Sequence, residues 1–421
     1  MQVLCRLAAM GIAGTLAAAL LPAAAGPVEL ATRHEPSGLN SAFTFTGQGV
    51  AEYVAATRRI VAQARTDLDT ANREWVIEAN SAFELTPAAT CPAGREKPFR
   101  RAVLLTHGLT DSPYSVRHLG RFFQQQCFRV LALLLPGHGT RPGDLTEVTW
   151  QEWVKAQAFG VRTLAQEADE IYLLGLSTGG ALSLYQGLRE PKVRALFLFA
   201  PAIRISKLAF LAGWLHALGE MFPRAKWLEL MPDEDATKYE SFAANAAYQL
   251  HLLTLELAKE RKRQKNAMPP VFVVASEDDA SVNTAATLDF FRDAARSSST
   301  LMYYSTRKRV VLPDIAADKV ILQYSVVPEQ HIISSAHTAL VLPPQDQHYG
   351  SSGDYAMCLH YFPDQMDHYR QCKNRQEDHL GEVTSDNLKR GVLRRLTYNF
   401  AYESMTAHLK EFIARLPPPA D

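Results

Sequence analysis

Glu170-Ile171-Tyr172-Leu173-Leu174-Gly175-Leu176-Ser177-Thr178-Gly179-Gly180-Ala181-Leu182 is the stretch from which the rest of the chain is read. Ile171 to Leu174 is a short apolar run, the pattern of a strand buried on both faces of a parallel sheet. It leads straight into Gly175-Leu176-Ser177-Thr178-Gly179, a G-x-S-x-G pattern, and then into Ala181 to Tyr185, which has helix-forming character. In a strand–turn–helix of this kind the serine is held in a strained conformation, and glycines must flank it where side chains would collide. The helix aims its first N–H groups at the serine and favours negative charge there. A plain glycine-rich turn would look the same locally, so the flanking sequence has to decide.

Outward from this stretch, strands and helices alternate. Ala102 to Thr106 is a buried strand ending at His107-Gly108-Leu109-Thr110-Asp111, and Arg117 to Gln125 is a helix. Val130 to Leu135 is a strand ending at Pro136-Gly137-His138-Gly139, and Glu152 to Ala168 is a helix. Downstream, Ala195 to Ala200, Val271 to Ala275 and Leu301 to Tyr304 continue the sheet, and Lys319 to Tyr324 is either an extra strand or the true last one. Before all of these come an amphipathic helix from Gly47 to Arg65 and two early strands, Trp75 to Ala79 and Phe83 to Leu85. The pattern predicts an α/β fold, a mostly parallel central sheet with helices on both faces. Binding groups then belong at the C-terminal ends of the strands, where His107, His138 and Ser177 all fall.

Two stretches break the rhythm. Pro201 to Pro270 reads as a helical insertion, with Leu211, Trp214, Leu215, Leu218 and Phe222 on one helix face and Leu250, Leu253 and Leu257 on another. Gln345 to Ser385 is polar and irregular, with little core of its own, and Leu388 to Leu416 closes the fold as helix. The expected organisation is 1–25 signal peptide, 26–200 first part of the core, 201–270 cap, 271–416 second part of the core, and 417–421 disordered tail.

Charge and cysteines narrow the setting. The chain has 44 basic and 44 acidic residues, so nothing electrostatic points to nucleic acid. Arg6, the apolar stretch Leu7 to Leu21 and the small residues Ala23-Ala24-Ala25 read as a secretory signal cut after Ala25, with an uncleaved anchor as the alternative, and the mature protein is expected to be periplasmic or secreted. In an oxidising compartment Cys91, Cys127, Cys358 and Cys372 favour disulfides. Of the three connectivities that four cysteines allow, Cys91–Cys127 and Cys358–Cys372 close the shorter loops. No cysteine–histidine cluster has metal-ligand spacing, and no metal is expected.

A serine hydroxyl needs a base to take its proton, a carboxylate to orient that base, and N–H donors for the oxyanion. After Ser177 come Asp278 or Asp279 on a post-strand turn, and then His331 or His337. Ser334-Ser335-Ala336-His337-Thr338 is a run of small residues that can bring an imidazole close to a hydroxyl. His331 instead precedes Ile332-Ile333, the start of a buried segment that would carry it elsewhere.

On His107-Gly108-Leu109, Pro136-Gly137-His138-Gly139, Gly175-Leu176-Ser177-Thr178-Gly179, Asp279-Ala280-Ser281-Val282-Asn283 and His337, the chain resembles the α/β-hydrolases of the serine esterase and lipase type. The nearest branch is the monoacylglycerol-lipase-like one, and the motifs span about Ala102 to His337. The resemblance implies an eight-stranded sheet, a helical cap between the sixth and seventh strands, no cofactor, and ester hydrolysis through an acyl-enzyme. It makes Ser177 the nucleophile, Asp279 the acid, since Asp279 to Val282 fits the family's D-x-x-V turn, and His337 the base, at a longer separation than is usual. The backbone N–H groups of Leu109 and Thr178 become the oxyanion donors. His107, Gly108, His138 and Trp214 are expected on the substrate side, with Leu211, Trp214, Leu215 and Leu218 along the acyl chain. The expected partners are a small ester or lipid substrate and, through the cap, transient contact with a membrane surface. Acyltransferase, thioesterase or amidase chemistry would use the same residues, and the rival class is a non-catalytic binding protein on the same fold.

Overall fold

The computed structural model describes residues 28–416 apart from Gln48, Asp67, Asp69, 265–267 and 295–297. The expected signal peptide and the expected disordered tail lie outside those residues.

Eight strands form one sheet: β1 (Phe83–Leu85), β2 (Phe99–Thr106), β3 (Phe128–Leu133), β4 (Ala168–Leu176), β5 (Val193–Phe199), β6 (Val271–Ser276), β7 (Thr300–Ser305) and β8 (Val320–Tyr324). Their spatial order is β1-β3-β2-β4-β5-β6-β7-β8. β1 runs antiparallel to β3 and every other pairing is parallel. Every residue of β3, β6 and β7 is buried. Because neighbouring strand residues point to opposite faces, both faces of the sheet are covered. The centre is a lateral row of apolar side chains, with Leu105 beside Leu174, Leu174 beside Phe197, and Phe197 beside Phe272.

The helices that matter for the site are α1 (Val50–Ala64), α2 (Arg73–Asn80), α3 (Arg117–Gln125), α4 (Trp150–Glu167), α5 (Thr178–Arg189), α6 (Leu211–Leu218) and α7 (Ala244–Arg263). Helix α4 opens with a capping box in which Glu152 accepts from the Thr149 N–H at 2.7 Å, and it buries Trp153, Ala156, Phe159 and Leu164 toward the sheet. α2 corrects the strand expected at Trp75 to Ala79. The β-branched pair Val76-Ile77 suggests a strand, but Val76, Ile77 and Asn80 are buried together at helical spacing, so packing overrides local propensity.

Four further differences bear on the site. The insertion falls between β5 and β6, not between a sixth and a seventh strand. The sheet has one antiparallel strand at its first edge and gains the parallel strand β8 at the other. The insertion is also not wholly helical. Between α6 and α7, Pro223 and Pro232 interrupt the helix, and Trp227–Glu229 pairs antiparallel with Phe242–Ala243. Finally, the polar stretch after Gln345 does build a core of its own. Ala356, Cys358, Tyr361, Tyr369, Cys372 and Val392 pack together, and His379–Gly381 pairs parallel with Leu393–Arg395. Tyrosines and one disulfide there do the work that aliphatics do elsewhere, which is why the stretch reads as irregular. The closing helix accordingly begins only at Tyr402.

Both expected disulfides are present, Cys91–Cys127 and Cys358–Cys372. Cys127 immediately precedes β3, so the first bond sits at the end of the sheet away from Ser177. The second closes a loop of sequence separation 14 around the small core. Replacing Cys358 and Cys372 together by serine should cost about 3 kcal/mol, on the loop-entropy scale for a closure of that size. Urea unfolding of the variant against the parent checks this, and an unchanged midpoint would show that the small core holds without its bond.

Candidate active site

Ser177 follows the last residue of β4 with φ 54° and ψ −111°, a left-handed conformation that a side chain normally avoids. Its N–H donates to Phe199 O at 2.9 Å, and its carbonyl accepts from Ala202 N at 3.0 Å, so the strand ends hold the turn from both sides. The flanking glycines are required sterically. A Cβ on Gly175 would collide with the backbone of Gly179, and one on Gly179 with the carbonyl oxygens of Thr106 and His107. The Thr178 N–H belongs to the first turn of α5, which has no intrahelical acceptor.

Asp279 and His337 meet across 58 residues, with His337 Nδ1 3.1 Å from Asp279 Oδ2. The other carboxylate oxygen, Oδ1, accepts from the N–H groups of Ser281 (2.8 Å) and Val282 (3.0 Å). Burial works against ionisation of Asp279, but the His337 charge and hydrogen bond, with those two N–H donors, outweigh it and hold the carboxyl below the ordinary range. The long separation of the pair has a plain cause: β8 and its connections lie between them. His331 is exposed at the end of a short 3-10 turn and does not line the cavity that His337 lines.

Asp278 has a different environment. One of its carboxylate oxygens is buried without a hydrogen-bond partner among the described residues. Burial, with the negative charges of Glu277 and Glu382, pushes its pKa up to about 6.

The loop after β2 is anchored from below. The Gly108 carbonyl accepts from the Asp111 N–H at 3.3 Å, and His107 Nδ1 lies 2.9 Å from the same oxygen. His107 Nε2 accepts from the Leu135 N–H at 3.2 Å, so the ring proton sits on Nδ1 and is donated to Gly108. Burial, helped by His138, drives the His107 pKa down to about 3, which keeps the ring neutral. His138 Nε2 lies 2.6 Å from the Leu109 carbonyl, and burial lowers its pKa as well.

A cavity of about 280 Å³ opens over Ser177 and His337. Leu109, Ile205, Met231, Phe242, Leu250 and Val282 give it an apolar side. Lys238, Glu240, Tyr355, His360, Glu382 and Arg395 give it a polar one. Arg395 Nη2 donates to Ser281 Oγ at 2.8 Å and to Glu382 Oε2 at 3.1 Å, so this pair abuts the turn that carries Asp279. Burial raises the pKa of both Glu382 and Glu240, the latter to about 7, against its hydrogen bond from Tyr355.

Several expected substrate contacts are elsewhere. His107, Gly108 and His138 do not line the cavity: both rings are fully buried beneath the loop, and Gly108 is covered by the Asp111 carboxylate. Trp214 is 70% exposed, Leu211 and Leu218 also face solvent, and Leu215 packs against Ala212, Ala244 and Ala247, so none of the four lines the cavity. The cap residues that do reach the cavity come from Ile205 to Ala209 and from Glu229 to Leu250. Sequence reasoning missed Asp111, Lys238, Glu382 and Arg395. The one signal was charge, since a charged residue within an apolar or strand-forming stretch rarely buries without a partner.

A family model described as "Serine aminopeptidase, S33" matches residues 97–307. The chain is 27% identical over 184 residues to a thermostable monoacylglycerol lipase of Bacillus sp. (strain H-257), which covers 42% of this chain and 70% of that protein. Among solved structures, similarity extends to the metagenome-derived lipolytic enzymes LipS and LipT, at 20% identity, 53% of this chain, 87% of that one and a TM-score of 0.44. A monoacylglycerol lipase from Paleococcus ferrophilus aligns at 20% identity, 49% and 86% coverage and a TM-score of 0.40. The polar wall contributed by residues 355–395 lies beyond the range the family model matches.

The environment of Asp278 generates a stability test. In the unfolded chain its carboxyl ionises at the ordinary value of 3.8, and in the folded one only at about 6. As pH rises between those values the unfolded state alone ionises, so stability falls, and the penalty is complete above the folded value. Asp278→Asn should therefore stabilise the protein by about 1–2 kcal/mol at pH 8, after allowing for the part of the group that solvent reaches. The gain should vanish near pH 4. Urea midpoints at the two pH values measure it, and a gain equal at both would rule out this origin.

Proposed function

The chain belongs to the serine aminopeptidase S33 family, and we propose that within it the protein is an exported carboxylic ester hydrolase of the esterase and lipase type, working through Ser177, His337 and Asp279. The observation that carries this reading is that Ser177, on its left-handed turn, and His337, held by Asp279, line one cavity. His337 Nε2 takes the Ser177 proton as Oγ attacks the ester carbonyl, while Asp279 keeps the proton of the ring on Nδ1. The carbonyl oxygen becomes an oxyanion held by the N–H groups of Leu109 and Thr178, with α5 pointing its positive end at the same spot. Collapse breaks the ester C–O bond, the alcohol leaves with the proton from His337, and an acyl-serine remains. Water, deprotonated by His337, attacks that ester, and the carboxylic acid departs as Ser177 regains its proton.

The cavity suits an ester with an apolar acyl group and a neutral, hydroxyl-bearing alcohol, such as a monoacylglycerol. The apolar side takes the chain and the polar side takes the alcohol. Asp111 and Glu382 are already paired with Lys238 and Arg395, which leaves little reason for a charged substrate head to bind beside them. The similar Bacillus enzyme is named as a monoacylglycerol lipase, which accords with this choice. Export rests on the N-terminal signal pattern and the two disulfides. No helix among the described residues is long and apolar enough to cross a membrane. Contact with a lipid surface would use Phe210, Trp214, Met221 and Phe222, which are 47–75% exposed on and around α6.

Ser177→Ala should abolish labelling by a fluorophosphonate, and Ser177→Ala or His337→Ala should lower kcat by about 10³-fold or more. Asp279→Asn should be similarly damaging, whereas Asp278→Asn and His331→Ala should keep most activity. A p-nitrophenyl ester series from acetate to laurate, run beside monoacylglycerols and aminoacyl p-nitroanilides, reads all of these. Turnover confined to the anilides would replace ester with amide chemistry. Full activity of Ser177→Ala would refute the mechanism.

A further inference from the structure

The turn Gly108 to Asp111 supplies one of the two proposed oxyanion donors; His107 and His138 anchor its first half from below, and its second half, Thr110 and Asp111, needs a hold of its own. Gly108 has no side chain, and the Asp111 carboxylate and Ser177 Cβ both crowd the place where one would stand. In a trans peptide the C=O and the N–H point in opposite directions. Fixing the Gly108 carbonyl, as His107 and the Asp111 N–H do, therefore fixes where the Leu109 N–H points. The bond from the Asp111 N–H, the part of that arrangement on the cavity side of the turn, lasts only while Asp111 and Thr110 stay in place.

What holds them comes from the insertion between β5 and β6. Lys238 Nζ donates to Thr110 Oγ1 at 2.7 Å and forms an ion pair with Asp111. The next residue, Tyr239, donates its N–H to Thr110 O at 2.8 Å. Its ring stacks over His138, with centroids 6.5 Å apart and planes at 16°, and its hydroxyl accepts from the Thr140 N–H. The segment is itself tied down. Asp233 accepts from the N–H groups of Glu240 (2.9 Å) and Ser241 (2.8 Å). Asp235 receives the Thr237 N–H at 2.9 Å and the Tyr349 hydroxyl at 2.5 Å.

We propose that Lys238 is a positioning residue for catalysis: its ammonium clamps Thr110 and Asp111 and so holds the Leu109 N–H at the oxyanion position, which makes the donor complete only when the insertion is seated. The inference rests on the Ser177 mechanism. Burial disfavours the ionised Asp111 carboxyl, and the Lys238 charge and hydrogen bond reverse that, so its pKa is lowered. Without the ammonium, a buried carboxylate loses its counter-charge, and it must take up a proton or swing out toward water. Either response loosens the turn. The apolar wall is untouched, so ground-state binding stays while stabilisation of the developing oxyanion falls.

The test compares Lys238→Met and Lys238→Arg with Lys226→Met, a lysine of the same insertion that pairs with Glu220 instead. Steady-state kinetics on p-nitrophenyl butyrate and inhibition by phenylboronic acid, which forms a tetrahedral adduct on the serine, are measured beside thermal unfolding. Lys238→Met should lower kcat by about ten- to a hundredfold, less than outright loss of an oxyanion donor, with KM changed by about twofold or less. The phenylboronate inhibition constant should rise in parallel with the kcat loss. Lys238→Arg should recover part of both, and Lys226→Met should alter neither. If Lys238→Met does not fold, Thr110→Val, which removes only the hydroxyl partner, should show the same split on a smaller scale. Unchanged kcat in the folded variant, or a kcat loss without weaker phenylboronate binding, overturns the proposal. Activity surviving in Ser177→Ala would instead overturn the mechanism beneath it.

Discussion

The structure depends on one strained residue. Ser177 can keep φ 54° only because β4 ends directly beneath it, α5 begins directly after it, and Gly175 and Gly179 leave those backbones room to touch. A left-handed serine costs on the order of 1–3 kcal/mol, so it persists only where the surroundings overdetermine it. Here the surroundings are the centre of a buried parallel sheet, with Ser177 N–H bonded to the end of β5 and Gly179 lying against the end of β2. The strain and the sheet are thus one feature: the core supplies the rigidity that places a hydroxyl at the rim.

Around that rim the loops are ordered in layers. Neutral, fully buried His107 and His138 support the loop after β2 from below through backbone carbonyls. The insertion grips the same loop from above through Lys238 and Tyr239. The segment after Gln345 in turn grips the insertion. Tyr349 and His348 bond Asp235, and Tyr355 bonds Glu240 at 2.5 Å. Each layer is polar and largely buried, so each contact fixes orientation through partner geometry, as apolar packing alone would not.

The cavity inherits this layering. Its apolar side comes mostly from the insertion, with Leu109 and Val282 from the core, and its polar side largely from residues 355–395, which lie outside the range matched by the family. The catalytic apparatus and the alcohol side of the proposed substrate site are therefore built by different parts of the chain. Ser177 and Asp279 fall inside the range matched by the family and His337 outside it. The segment behind the alcohol side lies beyond that range and is stabilised by its own small core and by Cys358–Cys372.

The central sheet, the left-handed serine and both cysteine pairings were legible in the sequence, because each follows from a short-range rule. Continuous apolar runs make buried strands, glycines flank a residue that has no room, and the shorter loops close first. Local residue choice favoured His337 over His331 and the family resemblance favoured Asp279 over Asp278, and the fold brings that pair within 3.1 Å. What tertiary structure alone decided is whatever depends on which face of an element meets which neighbour. Val76-Ile77 lies in a helix because of what packs against it, and α6 presents Trp214 to solvent although its periodicity shows only that one face is apolar. Lys238 meets Asp111 across 127 residues and Arg395 meets Ser281 across 114, and each buried charge is tolerable only beside a partner that the fold delivers. Amphipathic spacing says that a face exists; burial and counter-charge, which are properties of the folded chain, determine what that face touches.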